Sequence, residues 1–335
     1  MTVRPAPPAA ATGTRAVGLV LLAMLAFSTQ DVAVKLVAPE VSLWQLQLVR
    51  SAATLVMLAL LAVAIGKTAS LRPRTLRWPL ARAAFMCGSY LCFYASLPLL
   101  PLSQAAATFF TGPLFITVFA AILLGEPIGP RRVLAVIVGF AGVLCIVRPG
   151  AENWQPVALL PLLSAVSYAA GITITRWRCR DEPNFALSLV HNSIFVAVGA
   201  LGCLIVPFLP WTPEIRATWP FLTEGWLPLS LFALGLMVLT AATHLVGVLS
   251  SVRAYQIEDA SRIAPFEYSY LFIMPLYDIA IWGQVPARTT AAGMLLIGLA
   301  GIFVAWREGR PARPQVHPRG EEPWTPNGQH ADKGA

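Results

Sequence analysis

Residues 103–148 read SQAAATFFTGPLFITVFAAILLGEPIGPRRVLAVIVGFAGVLCIVR. Two apolar runs, 103–124 and 132–148, flank a Gly-Glu-Pro break followed by Arg131 and Arg132. A helix needs about 20 mostly apolar residues to cross a hydrocarbon core about 30 Å thick, and the first run supplies that length without a charge. Membrane-spanning strands would alternate apolar and polar residues over about 10 positions; neither run alternates. The stretch therefore predicts two membrane helices joined by a short turn. The same ruler laid along the chain gives ten spans: 16–36, 43–65, 80–99, 103–124, 132–148, 156–176, 185–208, 229–252, 261–282 and 289–306. Turn residues separate them, among them Pro39, Pro101, Gly125, Pro149, Gly150 and Pro286.

Composition points the same way. Of the 335 residues 57% are hydrophobic and 12% charged, with a mean hydropathy of +0.67. Soluble domains carry about 25% charged residues. This chain lacks the polar residues to cover a soluble surface, which excludes a soluble enzyme or a disordered body. The net charge of +8 raises the question of nucleic acid. Lys and Arg fall in short clusters between apolar runs, however, not in one basic stripe, so no nucleic-acid partner is expected. Cys87, Cys92, Cys145, Cys179 and Cys203 show no metal-ligand or redox spacing, so neither a metal nor a cofactor is expected. Arg15 before an apolar run resembles a secretory leader. The run continues through Asp31 to Leu36, however, beyond the about 7–15 residues of a leader's apolar region.

Lys and Arg also set the orientation. With the N-terminus inside, the inner segments collect Arg4, Arg15, Lys67, Arg72, Arg74, Arg77, Arg82, Arg131, Arg132, Arg176, Arg178, Arg180, Arg253, Arg262 and the tail residues from Arg307 on. The outer loops hold Arg148, Arg216 and Arg288, with Lys35 at a helix end. Ten spans then leave both termini in the cytoplasm of a multi-pass inner-membrane protein. Pro/Ala-rich residues 1–15 and Pro/Gly-rich residues 307–335 read as disordered cytoplasmic tails.

The quoted stretch has a second copy. Ser103-Gln-Ala-Ala-Ala, Leu123-Leu-Gly-Glu-Pro, Gly139-Phe-Ala-Gly142 and Arg148-Pro-Gly are answered by Ser261-Arg-Ile-Ala-Pro, Ile281-Trp-Gly-Gln, Gly298-Leu-Ala-Gly301 and Arg307-Glu-Gly at a nearly constant offset. Five helices per unit is odd, so the second unit, 149–306, enters the bilayer from the opposite side to the first, 16–148. Inverted units meeting at the midplane are transporter architecture.

These residues resemble the drug/metabolite transporter superfamily, EamA type. The resemblance runs over about 16–306. It rests on Leu124-Gly-Glu-Pro127, the Gly139/Gly142 and Gly298/Gly301 pairs, Arg253-Ala-Tyr, and Asp259-Ala-Ser-Arg-Ile-Ala-Pro-Phe-Glu-Tyr268. Trp282-Gly-Gln-Val-Pro286 departs from it, having Gln where Gly-Glu is usual. The resemblance implies an all-α membrane fold of ten helices in two inverted five-helix repeats. It also implies alternating-access transport of a small organic solute (amino acid, vitamin or nucleoside-like), and spans one, three, four, six, eight and nine around the cavity. The chain would be a monomer or homodimer in contact with lipid. A membrane enzyme would need a clustered catalytic set such as His-Glu-x-x-His, and the sequence has none; a non-transporting sensor is the other alternative.

Ionisable residues inside spans cost about 2.5–3.5 kcal/mol at the bilayer centre and so face a cavity or a partner. Ser28, Asp31 and Lys35 share a face of the first span, and Arg50 lies at comparable depth on the second. An Asp31–Arg50 or Asp31–Lys35 pair would serve as an outer gate, a zwitterion site or a helix clamp. Glu267 follows Pro265 and shares a face with Tyr270, Met274 and Tyr277. A carboxyl there suits proton coupling or a cation contact, or else pairs with a neighbour near the surface. His244 shares a face with Ser251 and Tyr255 and is a proton relay or a packing histidine. Tyr90 and Tyr94, Gln104, Thr108 and Thr111, and Ser164, Tyr168 and Thr175 form further polar faces. The tyrosines suit a planar or amphipathic solute, or serve as interface anchors. The expected binding set is thus Ser28, Asp31, Tyr90, Tyr94, Thr108, Thr111, Tyr168, His244, Glu267 and Tyr270. Asp31, Arg50, Glu267 and His244 are the coupling or gating candidates, with a proton as the candidate ion. The fifth and tenth spans read as packing scaffold.

Overall fold

The structure is a computed structural model that describes residues 9–66, 68–125, 129–148, 155–258 and 260–308. These form fourteen helices: α1 (Ala9–Val37), α2 (Leu43–Ala64), α3 (Arg77–Ser96), α4 (Leu102–Phe109), α5 (Gly112–Leu124), α6 (Pro130–Val147), α7 (Leu159–Arg178), α8 (Asn184–Ile205), α9 (Pro213–Thr218), α10 (Pro220–Thr223), α11 (Leu231–Ile257), α12 (Ala260–Glu267), α13 (Ser269–Trp282) and α14 (Arg288–Glu308). No strand occurs among the described residues. Glu126, Pro127 and Asp259 of the quoted motifs, and residues 1–8 and 309–335 of the expected tails, lie outside the described residues. α1 starts at Ala9, inside the stretch read as a disordered tail, because the Ala-rich sequence there favours helix.

Six helical stretches are long and apolar enough to cross a membrane: Gly13–Val37, Leu43–Ala64, Leu102–Leu124, Pro156–Arg178, Asn184–Phe208 and Leu231–Tyr255. The other four expected spans coincide with helices short of that measure: α3, the shorter apolar α6 and α14, and α12 with α13. Large apolar side chains cover the outside, with Val56, Leu60, Ile122, Leu134, Leu204, Phe272 and Leu299 all exposed. Polar side chains are buried inside, among them Gln30, Asp31, Gln47, Arg50, Thr54 and Asp278. A water-soluble protein does not leave so large a contiguous apolar face uncovered. This is a multi-pass membrane protein.

Packing follows a simple pattern. The most extensive contacts pair α1 with α11, α3 with α7, α2 with α8 and α6 with α14; α4 lies against α13. Small residues allow the closest of these approaches. A β-carbon on Gly293 would lie 2.6 Å from the Gly142 carbonyl oxygen, and one on Gly142 2.9 Å from that of Gly293, so α6 and α14 touch backbone to backbone. Gly199 and Gly202 of α8 likewise admit Leu48 and Trp44 of α2.

Two helices are broken in the same manner. Pro113 lacks an N–H and crowds the carbonyl of residue 109, so the 102–124 run splits into α4 and α5. The 260–282 run likewise splits at Tyr268 into α12 and α13, with Pro265 inside α12 three residues before the break. α4 and α12 each span eight residues and start 158 residues apart. α5 and α13 each end on a left-handed glycine, Gly125 (φ 68°) and Gly283 (φ 65°), again 158 residues apart.

Candidate functional site

Helices α1, α3, α4, α7, α11, α12 and α13 enclose a cavity of about 320 Å³. Its walls are aromatic: Phe27, Tyr90, Phe93, Tyr94, Phe109, Phe110, Tyr168 and Tyr270. The rings brace one another, Phe110 stacking on Tyr270 at 5.1 Å between centroids and Phe109 tilting against Tyr168 at 5.4 Å. Its polar lining is Gln30, Asp31, Ser89, Ser164, Ser251 and Glu267. A second cavity of about 750 Å³ shares Tyr90, Tyr168, Val248 and Val252 with the first. It runs past Arg82, His191 and His244 to Ile65, Ser70 and Asn184, at the arginine-rich end of the bundle. Ile65 and Asn184 are exposed, so the second cavity reaches the surface there.

Buried side chains from five helices join at the base of the first cavity. The Tyr270 hydroxyl donates to Asp31 Oδ2. Gln30 Nε2 donates to the Tyr94 hydroxyl (2.5 Å) and to Asp31 Oδ1 (3.4 Å). With the amide nitrogen so committed, Gln30 Oε1 faces His244 Nδ1 at 3.1 Å and accepts from it, which fixes the proton on Nδ1. Arg50 donates Nη1 to the Tyr94 hydroxyl at 2.9 Å and Nη2 to Gln47 Oε1 at 2.8 Å. Its guanidinium lies 5.1 Å from the Tyr90 ring centroid, 5.3 Å from that of Tyr94 and 5.6 Å from that of Phe195. A cation in such an aromatic cage is stabilised by the ring faces.

The expected residues fall into three groups. Asp31, Tyr90, Tyr94, Tyr168, Glu267 and Tyr270 line the first cavity, and His244 lines the second. Asp31 and Arg50 do come together, through Tyr94 and Gln30; among the described residues no direct ion pair joins them. Lys35 turns away from Asp31, donating to the Leu100 carbonyl at 2.7 Å with its ammonium 4.7 Å from the Trp282 ring. Ser28, Thr108 and Thr111 are buried but line neither cavity. Their hydroxyls turn back on the backbone, to the carbonyls of Leu25 (2.9 Å), Gln104 (3.0 Å) and Thr108 (2.7 Å). The last bond satisfies a carbonyl beside the α4–α5 break. Glu267 Oε1 accepts from the Tyr255 hydroxyl at 2.7 Å, a partner on the face already drawn through His244.

Four contributors are missing from the expected set. Gln30, Phe93 and Phe109 are uncharged, so a search for intramembrane charge passes over them. Asp278 was discoverable by that search. It is fully buried on α13, and its carboxylate accepts from the Leu102 and Ser103 N–H groups at 2.9 and 2.7 Å. It thereby caps α4, at the positive end of that helix. With Lys35 on Leu100, and with Ser230 Oγ donating to Glu40 Oε2 at 2.5 Å, it closes the end of the bundle opposite the arginine-rich one. At the arginine-rich end Glu182 ties two loops together, accepting from Arg74 N–H, Thr75 N–H and Thr75 Oγ1, each at 2.7 Å. Burial alone would raise its carboxyl. The Thr75 and Arg74 hydrogen bonds and the Arg74 charge outweigh that and hold it below its ordinary value of 4.5.

Among the described residues the site is thus a polar, half-closed cavity amid broken helices. Residues 14–148 match the model of the EamA-like transporter family. The chain is 26% identical over 212 residues to the S-adenosylmethionine uptake transporter of Rickettsia bellii, a match spanning 63% of this chain and 66%, just under two thirds, of that relative. It is 27% identical over 258 residues to the riboflavin transporter of Vibrio cholerae, covering 74% and 78% of the two. It is 26% identical over 292 residues to the pseudopaline exporter CntI of Pseudomonas aeruginosa, covering 86% and 94%. A solved crystal structure has a similar fold, with a TM-score of 0.54 at 19% identity over 88% of this chain and 99% of the other.

Proposed function

We propose that this protein is a secondary transporter that moves a small organic metabolite by alternating access. Its body is two inverted five-helix repeats, 16–148 and 149–306. The observation that carries this reading is the pair of broken helices, α4–α5 and α12–α13, set 158 residues apart and both lining the aromatic cavity. Interrupted helices at corresponding positions of two halves mark the binding site in repeat-built transporters. The helix pairing supports the same symmetry. Numbering the spans one to ten, the four most extensive contacts are 1–8, 3–6, 2–7 and 5–10. Exchanging each span for its counterpart five along leaves that set unchanged.

The arginine-rich end is the cytoplasmic one on the distribution of Lys and Arg, with both termini there, in the cell (inner) membrane. The second cavity then opens inward, while Lys35, Asp278 and the Glu40–Ser230 contact close the outside. Glu267, in the cavity wall, is the candidate proton carrier. The names of the relatives put S-adenosylmethionine, riboflavin and pseudopaline first in a trial panel. Reconstituted protein should exchange at least one panel solute across the vesicle membrane; a protein that neither moves nor is thermally stabilised by any of them refutes transport. Glu267→Gln should abolish the dependence of flux on an imposed pH gradient, and an unchanged dependence refutes Glu267 as the coupling group.

A further inference from the structure

The two joined cavities differ in their ionisable side chains. The acids lining the first are Asp31 and Glu267, and among the described residues no Lys, Arg or His lines it. The second is lined by Arg82, Arg253, His191 and His244, with no Asp or Glu. They meet at Tyr90 and Tyr168.

The charged groups are unequally committed. Asp31 is held by Tyr270 and Gln30 near the caged Arg50. Glu267 has only a neutral partner, Tyr255, and among the described residues no cation forms an ion pair with it. In the second cavity Arg82 spends Nε on Thr175 Oγ1 at 2.8 Å, and its two Nη groups have no partner among the described residues. His191 lines the same cavity. A guanidinium fork offers a carboxylate two parallel hydrogen bonds. Arg82 and Tyr90 lie eight residues apart on α3, about 12 Å along the helix.

Building on the transport reading above, we propose that the joined cavities form one bipartite site for a dipolar solute. A cationic centre on a planar body sits among the aromatic rings against Glu267. A carboxylate reaches across Tyr90 and Tyr168 to the free Nη groups of Arg82 and to His191. Cations gain from both the ring faces and the carboxylate in the first cavity, while a neutral or anionic planar solute meets an uncompensated Glu267.

Three matched probes separate the two arms: S-adenosylmethionine, its decarboxylated form, and S-adenosylhomocysteine, which lacks the sulfonium charge. Binding to the full-length protein in detergent is read by calorimetry. S-adenosylmethionine should bind at least 10-fold more tightly than either partner probe. Glu267→Gln should erase its advantage over S-adenosylhomocysteine while keeping that over the decarboxylated form, and Arg82→Gln should do the reverse. The proposal is overturned if both variants weaken all three probes alike, if the three bind equally, or if uncharged riboflavin binds better than any of them. Riboflavin flux through vesicles would then leave transport standing and remove only the dipolar site. Absence of all binding and of all flux would remove both.

Discussion

Gln30 spends one amide on three helices, bonding Tyr94 of α3, Asp31 of its own helix and His244 of α11. Leucine at this position would fill a similar volume, strand His244 Nδ1 and take one bond each from Tyr94 and Asp31. Each buried polar group left unpaired costs about 1–3 kcal/mol, so Gln30→Leu should lower stability by about 2 kcal/mol or more, read as a drop in the unfolding midpoint in detergent. A change under about 0.5 kcal/mol would mean that the partners find substitutes and that the network is loose. The sequence showed Asp31, Arg50, His244 and Glu267 because charge in an apolar run is conspicuous. Gln30 joins several of them and was not conspicuous, having neither charge nor a place on the Ser28–Asp31–Lys35 face. Ser28, Thr108 and Thr111 show the converse, lining neither cavity. Periodicity gives the direction of a Cβ, but a short hydroxyl can fold back onto its own helix.

At the scale of the element, the fifth and tenth spans read as packing scaffold, but only the structure pairs them, as α6 on α14. Of the two glycine pairs drawn from the sequence, Gly142 makes the backbone contact, with Gly293 as its partner, and Gly301 makes room for Tyr268. A β-carbon on Gly298 would meet only Leu271 Cδ1 at 4.0 Å. Gly293→Ala should therefore cost about 1–3 kcal/mol through forced separation of the helices, while Gly298→Ala stays within about 0.5 kcal/mol of the parent. Equal effects would refute the backbone contact. The Glu182 clamp between loops gives a pH signature. Its folded carboxyl is held low, so its contribution to stability is complete above the ordinary value and is lost as pH falls through the lower folded one. Glu182→Gln should make unfolding between pH 7 and 3 less steeply acid-sensitive; an unaltered acid limb would show that the clamp is not coupled to folding.

On the scale of the whole molecule, one end of the bundle is open and the other latched. Asp278 holds the Leu102 and Ser103 amides, and Lys35 holds the Leu100 carbonyl. A transporter that changes sides must release this latch. Asp278→Ala removes a helix cap, worth about 1–2 kcal/mol, and should speed hydrogen exchange at the Leu102 and Ser103 amides while leaving α6 and α14 unaffected. Exchange that stays slow there would place the closure elsewhere. The amino-acid sequence by itself determined that this chain lies in a membrane, where its long apolar runs fall, and which ends carry the arginines, because each depends on local composition against bilayer thickness. The tertiary structure alone decided which polar groups face the cavities, that Asp31 and Arg50 meet through Tyr94, and that acids and bases sort into separate compartments. Those relations are between side chains on different helices, and rotation about each helix axis is set by packing, which no single run of residues records.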